Sequence, residues 1–257
     1  MKNFTTKNSP GPVKNGIVMA LSLTIIILIW KLIAMGVNSE IILPSPEAVF
    51  RDLLKIGRSP EFLPAVGATV ARAVFAFLLA AFLGVVTGII TGFSKLADLL
   101  VRPVLVIIMS TPIISLILLA LIWFKSGNVP VFATFLMTFP IITVNVNEGV
   151  KNIDKGLLEM AKVYKVKKWS ILSEIYFPSI ASYLTAAVST AVGLGWKVVV
   201  TAEVLSQPQF AIGTNLQNSK IYLETASVLA WTLIAVSLSF IFELFIRTLE
   251  KRLIRWR

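Results

Sequence analysis

The chain contains no cysteine and no histidine in 257 residues. It therefore has no disulfide, no thiolate or imidazole metal ligand, and no Cys or His for a nucleophile–base pair. Aspartate is almost as rare, since Asp52, Asp98 and Asp154 are the only ones. No GxxxxGK[S/T] segment occurs, so the chain does not cradle nucleotide phosphates by that route. Enzymes that use these groups are thus disfavoured, and energy for any work must come from a partner or a gradient.

Charged residues are scarce as well. They make up 14% of the chain, whereas a soluble domain has about 25%. The hydrophobic fraction is 56% and the mean hydropathy is +0.85, which is more apolar sequence than a soluble core of this size can bury. The composition predicts an all-α, polytopic membrane protein, because helices pair their own backbone polar groups inside the bilayer. We expect the net charge of +11 to reflect cytoplasmic Lys and Arg rather than nucleic-acid binding.

Six apolar stretches approach or exceed the length of about 20 residues that crosses a bilayer. The sequence therefore predicts about six transmembrane helices in a single domain, 16–257, after a tail of residues 1–15. A cleaved signal peptide is disfavoured, because the first apolar run is long and holds Trp30 and Lys31, which are typical interfacial anchors. The stretches are Gly16–Met35, Pro64–Phe93, Leu99–Phe124, Val129–Val146, Pro178–Leu205 and Ala226–Arg247.

The distribution of Lys and Arg predicts the orientation of the chain. With the N-terminus inside the cell, 16 of the 24 Lys and Arg residues fall on the cytoplasmic side, five fall outside and three lie within spans. Cytoplasmic loops of membrane proteins carry such an excess. We therefore expect both termini, and the polar segment 148–178, to be cytoplasmic.

Two packing features occur within the apolar stretches. Small residues recur every four positions from Ala76 to Gly92, which predicts a smooth ridge for close approach of another helix, within the chain or across a dimer. Pro112 lies in the third stretch and Pro140 in the fourth, so both helices should be kinked.

Segment 148–178 is a polar, lysine-rich island between two apolar stretches. Apolar residues from Leu157 to Tyr164 share one helical face, whereas lysines and Glu159 share the other, so the segment predicts a short amphipathic helix. Asp154 is its expected N-cap. Such a helix either lies on lipid headgroups or presents a docking surface to a partner in water.

The island resembles the EAA loop of ATP-binding-cassette (ABC) importer permeases, in which Glu-Ala-Ala precedes a Gly and then Ile-x-Leu-Pro. Here Glu159-Met160-Ala161 is followed by Lys165 at the Gly position and then by Ile175–Pro178. A left-handed residue suits that position, so Lys165 there costs on the order of 1 kcal/mol. Four further segments resemble the nitrate/sulfonate/taurine/bicarbonate group of these permeases, namely Leu43–Pro46, Asn152–Glu159, Gly195–Glu203 and Leu249–Arg257.

This resemblance implies a type I importer permease in the inner or plasma membrane of a prokaryote. It implies a second permease copy, in a homodimer, and a binding protein outside the cell that delivers a small anion or small polar organic solute. ATP and Mg would be bound by separate ABC ATPase subunits, so the chain itself would be a transport subunit and not an enzyme, with no cofactor or metal of its own. The residues that would couple to the ATPase are Asp154, Leu157, Leu158, Glu159, Ala161, Lys162 and Lys165.

Charges inside the predicted spans are candidates for function, because a charge in hydrocarbon is costly. Lys197 lies about a turn and a half from the outer interface, and it either attracts an anion on the substrate path or snorkels to the headgroups. Glu203 is six residues further on and faces another direction, so we do not expect a pair between them within the helix. Glu203, Met109 and Thr111 are further candidates for the path.

Two more charged positions receive structural interpretations. We expect Arg72, near the end of the second stretch, to be interfacial, and we expect Glu243 and Arg247 to form an i,i+4 pair.

Two other classes of function remain as alternatives at this point. An intramembrane enzyme needs a group of catalytic residues within the spans. This class is disfavoured, because Asp is scarce and His is absent. An ion-coupled transporter or channel usually buries carboxylates near the membrane midplane, and the sequence indicates none there. Co-purification of an ABC ATPase would decide between these classes and an importer permease.

Overall fold

The computed structural model describes residues 12–253, with side chains described from residue 16 to residue 248. The predicted tail 1–15 and the closing segment 249–257 therefore lie wholly or largely outside the described residues.

The fold of the described residues is all-α, as the composition predicts. A π-helical turn, Leu172–Tyr176, connects α8 to α9. The helices are α1 (Pro12–Val37), α2 (Pro46–Gly57), α3 (Phe62–Phe93), α4 (Lys95–Ser110), α5 (Ile113–Trp123), α6 (Val129–Lys151), α7 (Lys155–Val163), α8 (Lys168–Ile171), α9 (Phe177–Ser206), α10 (Ile212–Ile221) and α11 (Thr225–Leu253).

The predicted third span differs most from the structure. Helices α4 and α5 meet at a bend of 101°, so the described residues contain five straight candidate spans, or six if this bent pair counts as one. Pro112 follows the end of α4 and has no N–H to continue it. The Thr111 hydroxyl donates to the Ile107 carbonyl at 2.7 Å. The sequence therefore predicted the position of the break. It predicted one kinked helix, however, where the structure has two helices joined by a sharp bend.

The small-residue ridge of α3 packs against α6 in the same chain, which confirms the predicted close approach. A Cβ at Gly84, Gly88 or Gly92 of this ridge would lie under 3 Å from side-chain atoms of α6, so no larger residue fits. The facing residues keep a constant offset of 58 positions, which shows that α3 and α6 run parallel and in register. The Cβ–Cβ distances would be 2.9 Å for Gly84 to Ile142, 2.6 Å for Gly88 to Val146 and 2.5 Å for Gly92 to Val150.

Helix α6 forms the centre of the bundle, between α3 and α9. Helices α10 and α11 pack on the far side of α9, and Trp196 of α9 donates its indole N–H to the Ala235 carbonyl of α11 at 2.9 Å. Helix α1 is largely exposed and packs chiefly against α2, where Trp30 donates to the Pro44 carbonyl. The bundle built from α3, α6, α9 and α11 therefore positions the candidate sites.

Residues Lys168–Ser206 form one continuous 39-residue helix, here called the rod. It begins ten residues before the predicted span, which was expected to start at Pro178. Because Pro178 has no N–H, a regular α-helical ladder is interrupted near it. The Phe177 N–H bonds instead to the Leu172 carbonyl, five residues back, which produces the π turn.

Candidate functional site

The first candidate site is the island, whose exposed part we call the tip, residues 155–171. The Asp154 side chain accepts a hydrogen bond from the Gly156 N–H at 2.7 Å, so Asp154 is the predicted N-cap of α7. Leu157, Glu159 and Lys162 are exposed and available to a partner. The amphipathic helix predicted for the island is therefore present.

Ala161 corrects the predicted set of docking residues. Its side chain is 3% exposed and faces the protein interior, and Leu158 is half-buried. Ala161 therefore holds α7 against its own chain in this structure, rather than presenting a surface to a partner. The tip also exposes apolar side chains beside its charged ones, since Val163, Tyr164 and Trp169 are each more than three-quarters exposed.

Lys165 ends α7 in the left-handed conformation, with φ of 49°. The Val166 N–H bonds to the Ala161 carbonyl at 2.9 Å and the Lys165 N–H to the Lys162 carbonyl at 3.1 Å. This pair of bonds is the Schellman motif, in which a glycine usually occupies the left-handed position. The left-handed conformation that the resemblance implied at Lys165 is thus confirmed.

Replacing Lys165 with glycine should stabilise the tip by about 1 kcal/mol, because glycine adopts a positive φ without the steric cost of a Cβ. Lys167, with φ of –60°, is the matched control, and Lys167→Gly should not stabilise the protein. Thermal unfolding of the detergent-solubilised variants measures the difference. Equal shifts for the two variants would contradict the strain assigned to Lys165.

The tip projects well beyond the ends of the neighbouring helices. The Tyr176 ring lies 5.2 Å from the ring of Phe93, the last residue of α3, so the two are at about the same level. From there to Lys168 the rod continues for eight residues, which is about 12 Å of helix. With the hydrocarbon edge placed at Phe93, the headgroup region would add only about 5–7 Å. The Lys168 end of the tip would then stand beyond the headgroups.

The second candidate site surrounds Lys197 of α9. Gly195 packs on Thr134 of α6, and the α3–α6 offset of 58 places Thr134 level with Ala76 of α3. Lys197 is two residues, or about 3 Å of helical rise, further along α9. Its Cα therefore lies near the level of Ala76, about one turn of helix from the level of Arg72.

Lys197 opens onto a furrow of about 480 Å³ between α9 and α11. Its side chain is exposed, and among the described residues its ammonium forms no ion pair. Polar side chains extend along the same furrow, whereas Trp196 and Phe240 contribute apolar walls. The polar residues that line it besides Lys197 are Thr201, Thr232, Ser239 and Glu243.

Glu243 carries the opposite charge in the furrow. It accepts a hydrogen bond from Arg247 at 2.6 Å, so the predicted i,i+4 pair is confirmed. It lies eight residues past Ala235, the contact of Trp196, which separates it from the Lys197 level by about 12 Å along α11. Glu243 is thus paired with Arg247, whereas Lys197 has no ion-pair partner within the described part of the chain.

Glu203 is part of a buried ion pair and does not line the furrow, which corrects its assignment to the path. The side chain is fully buried, and one carboxylate oxygen accepts from Arg72 at 2.7 Å. The other oxygen accepts from the Thr69 hydroxyl at 2.9 Å and from the Gly213 N–H at 3.2 Å. As predicted, Glu203 does not pair with Lys197 of the same helix.

Arg72, which the sequence predicted to be interfacial, is largely buried beside Glu203. Its side chain is 16% exposed, and its guanidinium also donates to the Phe210 carbonyl at 2.9 Å. Gly213 has no space for a side chain, since a Cβ would lie 2.5 Å from that of Glu203. The cluster therefore joins α3 and α9 to the first turn of α10, at the end of the bundle opposite the tip.

The remaining predicted path residues lie on the α4–α5 side. Met109 borders a small cavity of about 100 Å³ between α4 and α6, and Thr111 forms the corner. The structure does not bring either residue next to Lys197. The same cavity contains Asp98, which accepts from Lys151 at 2.8 Å and from Asn147 at 3.1 Å, and this link between α4 and α6 was not predicted.

Residues 84–255 match the family described as "Binding-protein-dependent transport system inner membrane component". The chain belongs to this family. The permease is 27% identical, over 98% of its length and 92% of the relative's, to a protein named as an aliphatic sulfonates transport permease, SsuC, of Bacillus subtilis. It is 24% identical to the taurine transport system permease protein TauC of Escherichia coli, over 91% and 88% of the two chains.

The permease also shares its fold with a solved transporter. It superimposes on a chain of a bacterial alginate ABC transporter, crystallised with an alginate-bound periplasmic protein, with a TM-score of 0.63 and 13% identity. The match covers 94% of the permease and 96% of that chain. This likeness confirms the type I importer fold. The family match and the named relatives confirm the ABC importer class, which sets aside the enzyme and secondary-carrier alternatives. The chain is a transport subunit of a multi-pass membrane system, and ATP hydrolysis belongs to a partner.

Proposed function

We propose that the furrow beside Lys197 is part of the substrate path and that the permease imports a small organic anion. The observation that carries this proposal is the ammonium of Lys197, which opens onto the furrow and forms no ion pair among the described residues. A lysine within a span is costly in hydrocarbon, by up to about 2.5–3.5 kcal/mol at the bilayer centre on insertion scales. An anion that passes the lysine offsets this cost during transport.

The chemistry of the furrow supports an organic anion. Lys197 and nearby hydroxyls suit an anionic group, whereas Trp196, Val200 and Phe240 suit an apolar part of the same molecule. Two relatives of the permease are named for aliphatic sulfonates and for taurine, both of which carry a sulfonate. We therefore propose a short-chain sulfonate, or an anion of similar shape, as the substrate.

Replacing Lys197 with methionine should lower uptake about tenfold or more, because the anion then crosses an apolar region without a counter-charge. Lys197→Arg keeps the charge and should retain most of the activity. Uptake of a radiolabelled short-chain alkanesulfonate into proteoliposomes that contain the whole importer measures the effect. Thermal stability should not fall in Lys197→Met, since no described residue forms an ion pair with this lysine.

Two results would contradict this role. Unchanged uptake with unchanged stability would show that Lys197 only snorkels to the lipid surface. A loss of stability in Lys197→Met, with uptake reduced in proportion to the amount of folded protein, would show a structural role instead.

We further propose that the tip docks on the ATPase subunit of the importer. The exposed apolar side chains Val163, Tyr164 and Trp169 stand past the lipid surface, where water makes their exposure unfavourable. Docking in an apolar pocket of a partner removes them from water. Glu159, Lys162 and Lys165, predicted to couple to the ATPase, are exposed around this apolar surface.

Tyr164→Ser should weaken association with the ATPase about tenfold, because a buried aromatic contact at an interface is commonly worth 1–2 kcal/mol or more. Tyr222→Ser is the matched control, since Tyr222 is exposed to the same degree, 74% against 76%, but lies at the opposite end of the bundle. Binding of the ATPase to the permease in nanodiscs measures both. Normal binding by Tyr164→Ser would contradict docking through the tip.

The orientation and remaining partners follow from this proposal. The tip faces the cytoplasm, the opposite end with α2 and α10 receives substrate from a binding protein outside the cell, and a second copy of the permease completes the path. The lack of native cysteine allows a direct check of orientation. A cysteine at Lys220 should react with an impermeant maleimide added outside cells, whereas one at Lys168 should not.

A further inference from the structure

The tip carries a dense and uncompensated positive charge. Residues 155–168 hold five lysines and a single acidic residue, Glu159, which leaves a net charge of +4. All five lysines are exposed, and among the described residues none of them forms an ion pair. The lysines are Lys155, Lys162, Lys165, Lys167 and Lys168.

These lysines alternate along the chain with the exposed apolar side chains of the tip. Lys162 and Lys165 flank Val163 and Tyr164 in sequence, and Lys168 directly precedes Trp169. Like charges this close together repel one another, within a Debye length of about 8 Å at physiological salt. A negatively charged partner relieves the repulsion between the lysines. A neutral partner would bury the apolar side chains but would not reduce that repulsion.

We propose that the surface on which the tip docks is an apolar pocket with a rim of carboxylates. This inference rests on the proposed docking to the ATPase and states the chemistry of the ATPase surface. The apolar floor takes Tyr164 and Trp169, and Asp and Glu side chains of the rim face Lys162, Lys167 and Lys168. The charges steer association and fix the register of docking, and the apolar contacts supply most of the affinity.

The geometry favours an acidic protein over anionic lipid as the source of these carboxylate-like charges. The tip extends about 12 Å past the level of Phe93, and the headgroup layer accounts for only about half of that distance. Attraction to lipid charge falls off within a Debye length of the surface. The outermost lysines therefore lie where a soluble partner is the main source of negative charge.

The experiment compares two triple variants of the permease in nanodiscs of neutral lipid. One replaces Lys162, Lys167 and Lys168 of the tip with glutamine. The control replaces Lys55, Lys125 and Lys220, which are also exposed and unpaired but lie at the opposite end. The association rate of the importer's ATPase subunit is measured from about 50 mM to about 500 mM salt, which shortens the Debye length severalfold.

For the wild type and the control variant, we expect the association rate to fall about tenfold or more over this range. The tip variant should associate slowly at low salt and respond little to added salt. A zero-length carbodiimide cross-linker, which joins amines to carboxylates, should connect the tip lysines of the wild type to Asp or Glu of the ATPase. Mass spectrometry identifies the joined residues.

Salt-independent association of the wild type, or equal behaviour of the two triple variants, would overturn the acidic rim while leaving docking intact. The same conclusion would follow if salt dependence appeared only in nanodiscs with anionic lipid, since lipid would then be the charged partner. Absence of ATPase binding at every salt concentration, with Tyr164→Ser indistinguishable from the wild type, would overturn the docking function and this inference together.

Discussion

Gly88→Ala should separate α3 from α6 and lower the free energy of unfolding by about 3 kcal/mol, at the upper end of the usual cost of overpacking. The new Cβ would lie 2.6 Å from the Cβ of Val146 and 2.8 Å from the carbonyl oxygen of Thr143. The Thr143 carbonyl is part of the backbone of α6, so it cannot rotate away from the new Cβ as a flexible side chain can. Thermal unfolding and protease resistance of the purified variant measure the loss.

Gly67 provides the matched control on the same helix. A Cβ there meets no atom within 4 Å, so Gly67→Ala should leave stability unchanged or raise it by up to about 1 kcal/mol through helix propensity. Similar losses in the two variants would show that α3 tolerates no alanine for reasons unrelated to α6. The assignment of the ridge to α6 would then be wrong.

Glu203→Gln should destabilise the permease by about 3–5 kcal/mol, because it leaves the largely buried Arg72 without a counter-charge. It also weakens the hydrogen bond from the Gly213 N–H, and with it the attachment of α10. We expect the folded yield to fall and the segment around α10 to become sensitive to protease.

A double-mutant cycle identifies the cause of that loss. Arg72→Met removes the positive charge, so the double variant Arg72→Met, Glu203→Gln should be more stable than the sum of the two single losses predicts, by about 1 kcal/mol or more. Strictly additive losses would show that the two side chains act independently and that their 2.7 Å contact is energetically unimportant.

Features that depend on local pattern were predictable from the sequence. The four-residue spacing from Ala76 to Gly92 specifies one helix face, and a face of small residues has few uses other than close packing. The left-handed Lys165 was predictable for a similar reason, because the end of a short helix imposes its own backbone conformation. The partner of the ridge was not predictable, since nothing in α3 itself distinguishes α6 from a second copy.

Features that depend on contacts between distant segments were missed. Arg72 and Glu203 are 131 residues apart, and each separately looks like a residue near a membrane surface. The burial of Ala161 in the tip was missed for a different reason. An amphipathic pattern separates apolar from polar faces, but it does not state whether the apolar face meets the chain's own core, as Ala161 does, or a partner, as Tyr164 is proposed to do.

The continuity of the rod has a mechanical consequence. Trp169 at the tip and Lys197 in the furrow are 28 residues apart on one helix, which is a lever of about 42 Å. A tilt of only about 5° about the tip displaces Lys197 by nearly 4 Å, which is longer than a hydrogen bond. Very small rotations imposed on the tip would therefore be sufficient to form or break the proposed contact between Lys197 and an anion. The π turn at Leu172–Tyr176 interrupts the regular α-helix of the rod. Its stiffness therefore determines how much of a rotation at the tip is transmitted to Lys197.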